Sequence, residues 1–519
     1  MSQGLSVQNS KLLLSLKKVS GWTGVSRLFG LFRDIATTSL LGASVFHDIF
    51  VVTLKIPNLF RRFFAEGAFN QAFIPIYSDF EKANNEKETK EFINALAGTF
   101  LSILFVFTLL VLLVTPLFIL IFAPGFYLDE FKRDIAVDVL RIMFPYLALI
   151  SLVAFAGGIQ NTHNRFSLPA STPLIFNSCL IIAAVLIAPK YELPIYVLAW
   201  GVLIAGFMQL MIQFFPLKQI NRLPVPKIDF SNKGSRKVFK LMIPAILAGG
   251  IIQINLLVDT IFASLLETGS PTWLYVSDRL IQFPMGIFAI AIGTVLLPTL
   301  SKIDFSTNMA EFIDRVKKSQ RFVLFIGIPS FIGLAFCSTD LLSTIFLRGE
   351  FTINDVYQSS YSLIAFSFGL PFFMLMKVLT PTFFSRKDTK TPMYIALLSL
   401  LLNASLNYIL AFKLGYGHIG IAVGSSISAM VSVVILEIIL FKQGIILLQN
   451  PFNKFNSSIL FSSIILVIFL YNTSQLINFI DLGQIHKIIV LFAKVSIAIG
   501  IYIGTVRILY GKPLKEIFD

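Results

Sequence analysis

Residues 26–79 read SRLFGLFRDIATTSLLGASVFHDIFVVTLKIPNLFRRFFAEGAFNQAFIPIYSD, and the rest of the chain is read outward from them. The stretch is too apolar for a soluble surface, yet it carries Arg27, Arg33, Asp34, Asp48, Lys55, Arg61, Arg62 and Glu66. Holding an ionisable side chain at membrane depth costs roughly 2.5–3.5 kcal/mol on insertion scales, so a cluster of them marks a functional site by default. These arginines are expected to line a water-filled cavity that receives an anionic substrate.

The composition requires a membrane. Of 519 residues, 56% are hydrophobic and 13% charged, against about 25% charged in soluble domains. The formal charge of +14 would suit nucleic acid, but Lys and Arg gather in short loops between apolar runs, as the positive-inside rule expects. No nucleic-acid partner is predicted. Cys179 and Cys337 both lie in apolar runs, and the four histidines lack metal-ligand spacing, so no disulfide framework or metal site is read. The first residues carry Lys11, Lys17 and Lys18 around a very short apolar run, which predicts no removable signal peptide.

A spanning helix needs about 20 apolar residues. Twelve such runs are clear, at 92–123, 135–159, 169–189, 194–217, 238–266, 272–300, 320–338, 355–380, 391–412, 418–441, 456–474 and 487–509. The opening stretch adds charged helices near 21–42 and 46–78. Fourteen spans with both termini cytoplasmic fit the loop charges, because dropping or adding one helix scrambles the alternation of basic and non-basic loops. The expected fold is an all-α integral membrane protein. Its expected parts are an N-terminal lobe at 1–217, a basic cytoplasmic linker at 218–240, a C-terminal lobe at 241–450, and a terminal helix pair and tail at 451–519. Faint self-similarity links RDIATTSLLG at 33–42 with VDTIFASLLE at 258–267, and Thr172-Pro173 with Thr391-Pro392. Such repeats are usual in secondary transporters, with the site at their interface.

Within the first helix, Arg27 and Asp34 are seven residues apart and share a face, while Arg33 points about a third of a turn away. Two readings stand: an Arg–Asp pair tying neighbouring helices, or an arginine turned to the cavity. In the second helix Pro57 should introduce a kink. Arg62 and Glu66, four apart, are placed for an internal ion pair, leaving Arg61 for the substrate. Asp278 and Arg279, followed by Gln282, sit in a further apolar run. There they either snorkel at its mouth or, if the duplication is real, set Arg279 opposite Arg61. Arginine forks match the oxygens of a diphosphate. Asp259 lies in an otherwise apolar span, as a structural hydrogen-bonding group or a site for a coupling cation, Na+ or H+. Lys377 and Lys494 are read as snorkelling or gating residues. No phosphate-binding loop or catalytic motif occurs, so an enzyme or an ATP-driven pump is not expected, and no cofactor is required.

SRLFGLFRD at 26–34, HD at 47–48, the stretch 55–80, SDRLIQFPMGIFAIAIGTVLLP at 277–298 and KDTKTP at 387–392 resemble the MurJ (MviN) family. These are lipid II flippases of the multidrug/oligosaccharidyl-lipid/polysaccharide exporter superfamily. The resemblance spans nearly the whole chain. It implies fourteen helices in two pseudo-symmetric six-helix lobes around a cationic central cavity, plus a terminal pair with a groove for the polyprenyl tail. It implies Arg27, Arg33, Arg61 and Arg279 as substrate-binding residues, supported by Asp34, Asp48, Arg62, Glu66, Asp278 and Gln282. Where the family often has an acid, as in DRLxE, this chain has Gln282. The implied activity is alternating-access transfer of lipid II across the bacterial inner membrane, with the membrane potential or a coupling cation as the drive. Membrane lipids and the cell-wall synthesis machinery are the implied partners. An exporter of another lipid-linked saccharide or of drugs, and a non-transporting scaffold, remain as alternatives.

Overall fold

The computed structural model describes residues 2–305, 307–445, 453–477 and 479–511; side chains are described there except at 2–20, 65–66, 245, 247–253, 255–256, 290–291 and 294. Among the described residues there is no strand. The helices are α1 Ser2–Leu41, α2 Val45–Arg61, α3 Ala68–Lys82, α4 Glu86–Leu113, α5 Thr115–Phe122, α6 Pro124–Tyr127 and α7 Glu130–Met143. They continue with α8 Tyr146–Thr162, α9 Ser167–Ile182, α10 Pro194–Gln219, α11 Lys233–Ser264, α12 Ser270–Pro284, α13 Ile290–Ser301 and α14 Met309–Phe336. The last are α15 Ser338–Phe346, α16 Ile353–Phe384, α17 Lys390–Asn407, α18 Gly417–Lys442, α19 Lys454–Leu476 and α20 Gln484–Tyr510. The chain forms two compact units that divide between Leu265 and Leu266.

Ten of the twelve apolar runs are helices long and apolar enough to cross a membrane. The run 238–266 falls in α11, and 272–300 is split by a π-turn at Met285–Ala289. The second helix of the opening stretch is split too. Pro57 lies inside α2, and the interruption comes five residues later, at the π-turn Arg62–Glu66. Two further π-turns, Ala183–Ile187 and Tyr408–Lys413, follow α9 and α17. A π-turn shifts register by one residue while keeping its hydrogen bonds, so a helix can be redirected without exposing backbone to lipid.

The element order repeats at a constant spacing. The starts of α4 and α14, α5 and α15, α7 and α16, α9 and α17, and α10 and α18 are each 223 residues apart (309 − 86, for example). The ends of α1 and α11, and the π-turns at 62 and 285, keep the same interval. Left-handed turn residues follow it as well, with Asn164 matching Lys387 and Asn221 matching Gly444. This spacing corrects the register of the sequence similarities. It pairs Leu41 with Ser264, two residues from the sequence match, and places Thr172-Pro173 one helical turn off Thr391-Pro392. Both matches joined the right helices in the wrong register.

In the first unit, aromatic rings on α3, α4 and α8 make a core of Phe69, Phe73, Phe92, Phe100 and Phe155, with Phe69 stacked on Phe100 and Phe155 edge-on to Phe73. A second core, from Ile49 to Val202, joins α2, α7, α8 and α10. In the second unit α19 and α20 dock on α14 and α15. Tyr502 donates to the Phe325 carbonyl (3.0 Å), Gln484 donates to the Thr344 carbonyl (2.7 Å), and Lys494 is buried against Asp340 (2.7 Å) and Ser474 (2.8 Å). Lys494 therefore does not snorkel. It is one half of a buried ion pair, a type whose disruption leaves a costly unpaired charge.

The basic segment at 218–240 is a strap flanked by helix. Its first residues end α10, and its last begin α11. Between them the chain lies along α4: Val225 and Lys227 donate from their backbone to the Asn94 side chain (2.7 Å) and carbonyl (2.9 Å), and Asp229 donates to Thr99 Oγ1 (3.3 Å). The fit requires a glycine, because a Cβ on Gly98 would lie 2.3 Å from the Lys227 carbonyl. Gly98→Val should therefore lift the strap and make cleavage after Lys227 by trypsin several-fold faster in inside-out vesicles. Cleavage at the wild-type rate would show that this seat does not hold it.

Candidate substrate-binding site

None of the candidate residues lies on the ten apolar helices. Arg27, Arg33 and Asp34 are on α1, Asp48 and Arg61 on α2, Arg62 and Glu66 in the π-turn, Asp259 on α11, and Asp278, Arg279 and Gln282 on α12.

In the first unit, Asp34 is buried and Arg33 grips one of its oxygens with both Nε (3.0 Å) and Nη2 (2.5 Å). The Arg33 fork also donates to Asn177 Oδ1 on α9 (3.2 Å) and lies 5.8 Å from the centre of the Phe176 ring. Asn177 in turn donates to the Ser26 carbonyl (3.2 Å). The arginine–aspartate pair thus forms between sequence neighbours, and Arg33 is the group that ties α1 to α9. Arg27 shares a helical face with Asp34 but is exposed. Asn177, which orients Arg33, carried no sequence signal, because an amide in an apolar helix resembles any buried polar group.

Asp48 is buried in the first turn of α2, where the helix dipole favours a carboxylate. Arg61 ends α2, half-buried, and Arg62 is exposed. The expected Arg62–Glu66 pair lies outside the described residues, since the Glu66 side chain is not among them. The backbone there is a π-turn, closed by the Gly67 amide on the Arg62 carbonyl (3.3 Å), and not the α-helix that the four-residue spacing assumed. Lys55, given no role by the sequence, donates to Thr260 Oγ1 on α11 (3.1 Å). It thereby joins α2 to the helix of Asp259 one residue from that carboxylate. Among the described residues no cluster of three or more metal-ligating side chains occurs.

The far end of α3 is latched. Glu81 accepts from Arg222 Nε (2.7 Å) and Nη2 (3.3 Å) and from the Tyr77 hydroxyl (2.6 Å), which also meets His163 Nε2 (2.9 Å). Arg222 reaches Glu86 as well (3.3 Å). Burial pushes the Glu81 carboxyl up, but the Arg222 and Tyr77 hydrogen bonds outweigh it and hold the group below its ordinary value. The latch joins α3, α8 and the strap, and so fixes the helix that follows Arg61 and its π-turn.

In the second unit, Asp278 and Arg279 are half-buried on α12, and Gln282 Nε2 donates to Asp278 Oδ2 (2.5 Å). Gln282 therefore serves the aspartate next to Arg279. Arg61 immediately precedes its π-turn, whereas Arg279 lies six residues ahead of the equivalent one. The 223-residue spacing matches Arg61 with Pro284 and Arg279 with Ile56. The two arginines are on partner helices of the repeat, five positions out of register.

A depressed carboxylate contributes stability above its ordinary value and loses it as pH falls through the folded one. The thermal midpoint of Glu81→Gln in detergent should therefore lie below wild type at pH 7, with the gap closing only below pH 4.5, the group's ordinary value. A gap independent of pH would exclude the ionised latch.

Residues 37–491 match the family described as lipid II flippase MurJ. A probable lipid II flippase MurJ of Vibrio cholerae is 36% identical over 517 residues, covering 98% of each chain. The lipid II flippase MurJ of Burkholderia cenocepacia is 34% identical over 84% of each chain. Among solved structures, a lipid II flippase MurJ in an inward closed conformation matches with a TM-score of 0.77 at 28% identity, over 95% of this chain and 98% of that one. An inward-facing multidrug transporter of the MATE family matches with a TM-score of 0.62 at 11% identity, over 81% of this chain and 94% of that one, a likeness of fold alone.

Proposed function

Because the chain belongs to the lipid II flippase MurJ family, a family of multi-pass membrane transporters and not of enzymes, we propose that it carries lipid II from the inner to the outer leaflet of the bacterial cytoplasmic membrane. The observation that carries this reading is the clustering of the candidate charges on α1, α2, its π-turn, α11 and α12, helices that the sequence reads as crossing the membrane. A pure scaffold has no use for such charges at membrane depth.

The reading comprises fourteen spans with both termini cytoplasmic, in two six-helix lobes around a central cavity, and a terminal pair, α19 and α20, beside the polyprenyl tail. The 223-residue repetition of elements supports the two-lobe layout, and the anchoring of α19 and α20 on α14 and α15 supports a separate terminal pair. Arg27, Arg33, Arg61 and Arg279 bind the diphosphate and the sugar-peptide head group while the tail stays in lipid. Asp34 holds Arg33 in place, and Asn177 aims it. The lobes then rock to release the head group outside. An inside-negative potential contributes about 2.3 kcal/mol per charge per 100 mV toward moving an anion outward and opposes return of the empty cationic site. A Na+ or H+ at Asp259, near the ammonium of Lys55, is the proposed means of resetting it. The wall-synthesis machinery that consumes lipid II is the proposed protein partner.

The test is lipid II accessibility on the outer face of cells depleted of their own flippase and supplied with this chain. Export by wild type, with loss in Arg61→Ala and Arg279→Ala at matched expression, is the expected result. Undiminished export by both variants would sink the arginine mechanism. No export by wild type would point to a related exporter.

A further inference from the structure

The strap between α10 and α11 leaves large apolar side chains in the open. Val225, Ile228 and Phe230 are 69%, 65% and 57% exposed, and Leu223 is exposed beside them. A segment surrounded by water does not gather exposed apolar side chains in this way. The turn between α3 and α4, which carries Lys82 and Lys87, exposes no large apolar side chain. Nor is the strap free to turn these side chains inward. Pro224 and Pro226 restrict its backbone, and its amides at Val225, Lys227 and Asp229 are taken up by Asn94 and Thr99 of α4.

The strap lies at the rim of an apolar band. On α4 the exposed apolar side chains begin at Ile103, Phe105 and Val106. Ile103 is four residues, about 6 Å, past Thr99, to which the strap is bonded. On α10 the exposed apolar side chains run through Met211 to Phe214 and Phe215, and stop three residues before Lys218. On α11 they begin at Leu241, immediately after Lys240. Three helices therefore pass from apolar to polar surface where the strap meets them, on the side that loop charge makes cytoplasmic.

Charge follows the same line. From Lys218 to Lys240 the chain has seven Lys or Arg and one acid, Asp229. Asp229 turns a carboxylate oxygen onto the amides of Ser231 (2.8 Å) and Asn232 (3.2 Å). Arg222 is held in the latch, and Arg236 Nε donates to the Phe230 carbonyl (2.7 Å). Lys218, Lys227, Lys233 and Lys237 are exposed and form no ion pair among the described residues. A row of cations beside exposed apolar side chains, at the edge of the hydrocarbon, is complementary to an anionic lipid surface and to its acyl chains together.

We propose that the strap is a seat for anionic phospholipid of the cytoplasmic leaflet. Val225, Ile228 and Phe230 enter the edge of the acyl region, and Lys218, Lys227, Lys233 and Lys237 hold phosphate oxygens of the head groups. The seat is independent of which substrate the chain carries.

The test places a tryptophan on the strap of the full chain. In phosphatidylcholine vesicles, Phe230→Trp should have its emission, less that of wild type, quenched by lipid brominated on its acyl chains. Brominated phosphatidylglycerol should quench several-fold more than the same fraction of brominated phosphatidylcholine. Changing Lys218, Lys227, Lys233 and Lys237 together to Gln should abolish that preference and leave the quenching by phosphatidylcholine. Ile228→Trp, at a second exposed position, should report the same. No quenching by either lipid would put the strap in water, open to a protein partner, and overturns the seat. Equal quenching by both lipids before the lysines are changed, or a preference that survives their replacement, overturns it as well.

Discussion

The cost of charge and of unpaired backbone in hydrocarbon governs the whole chain. Helices at membrane depth must satisfy their amides internally, so a helix that carries arginines and also changes direction cannot simply unwind. Among the described residues four π-turns interrupt or end helices, at 62–66, 183–187, 285–289 and 408–413. At the first the Gly67 amide closes on the Arg62 carbonyl, and at the last the Leu414 amide closes on the Ile409 carbonyl. Buried ionic groups obey the same rule. Asp34 is neutralised by Arg33 and Asp340 by Lys494.

The duplication shows which features the backbone demands and which the side chains are free to vary. Helix starts, π-turns and left-handed turn residues recur at 223 residues, while the contents of the frame diverge. Where the second unit packs Trp273, Gln358, Ser362 and His418 into a polar cluster, the matching residues of the first unit are Phe50, Ile135, Val139 and Ile195, all buried in an apolar core. The cluster is closed. His418 meets Ser362 through Nδ1 (2.6 Å) and Gln358 through Nε2 (3.1 Å), so both ring nitrogens are satisfied. A buried polar network is tolerable only in that state.

Much of this could be read from the residues. Charges set in apolar runs singled out α1, α2, α11 and α12 as the candidate helices, and hydropathy located the ten helices of crossing length. The π-turns could not be read, because RFFAE, AAVLI, MGIFA and YILAFK contain no helix breaker. The repeat register was missed by two and by four residues, since apolar helices conserve a face and little else. Contacts across long separations were also silent. Asn177 reaches Arg33 over 144 positions, Thr260 meets Lys55 over 205, and Asp340 holds Lys494 over 154. Nothing local in the chain announces such partners.

The asymmetry between the repeats also bears on mechanism. The interval matches Arg27 with Gly250, Arg33 with Leu256, Asp34 with Leu257 and Arg61 with Pro284, while Arg279 matches Ile56 and Asp259 matches Ala36. The charged side chains therefore do not recur at the repeat interval, and three of the four candidate arginines lie on α1 and α2. A ligand shifts a conformational equilibrium only by the difference in its affinity for the two states. Two identical half-sites would give an anionic ligand the same affinity in either repeat, whereas divergence of the charged side chains within a common frame makes the two halves inequivalent toward it.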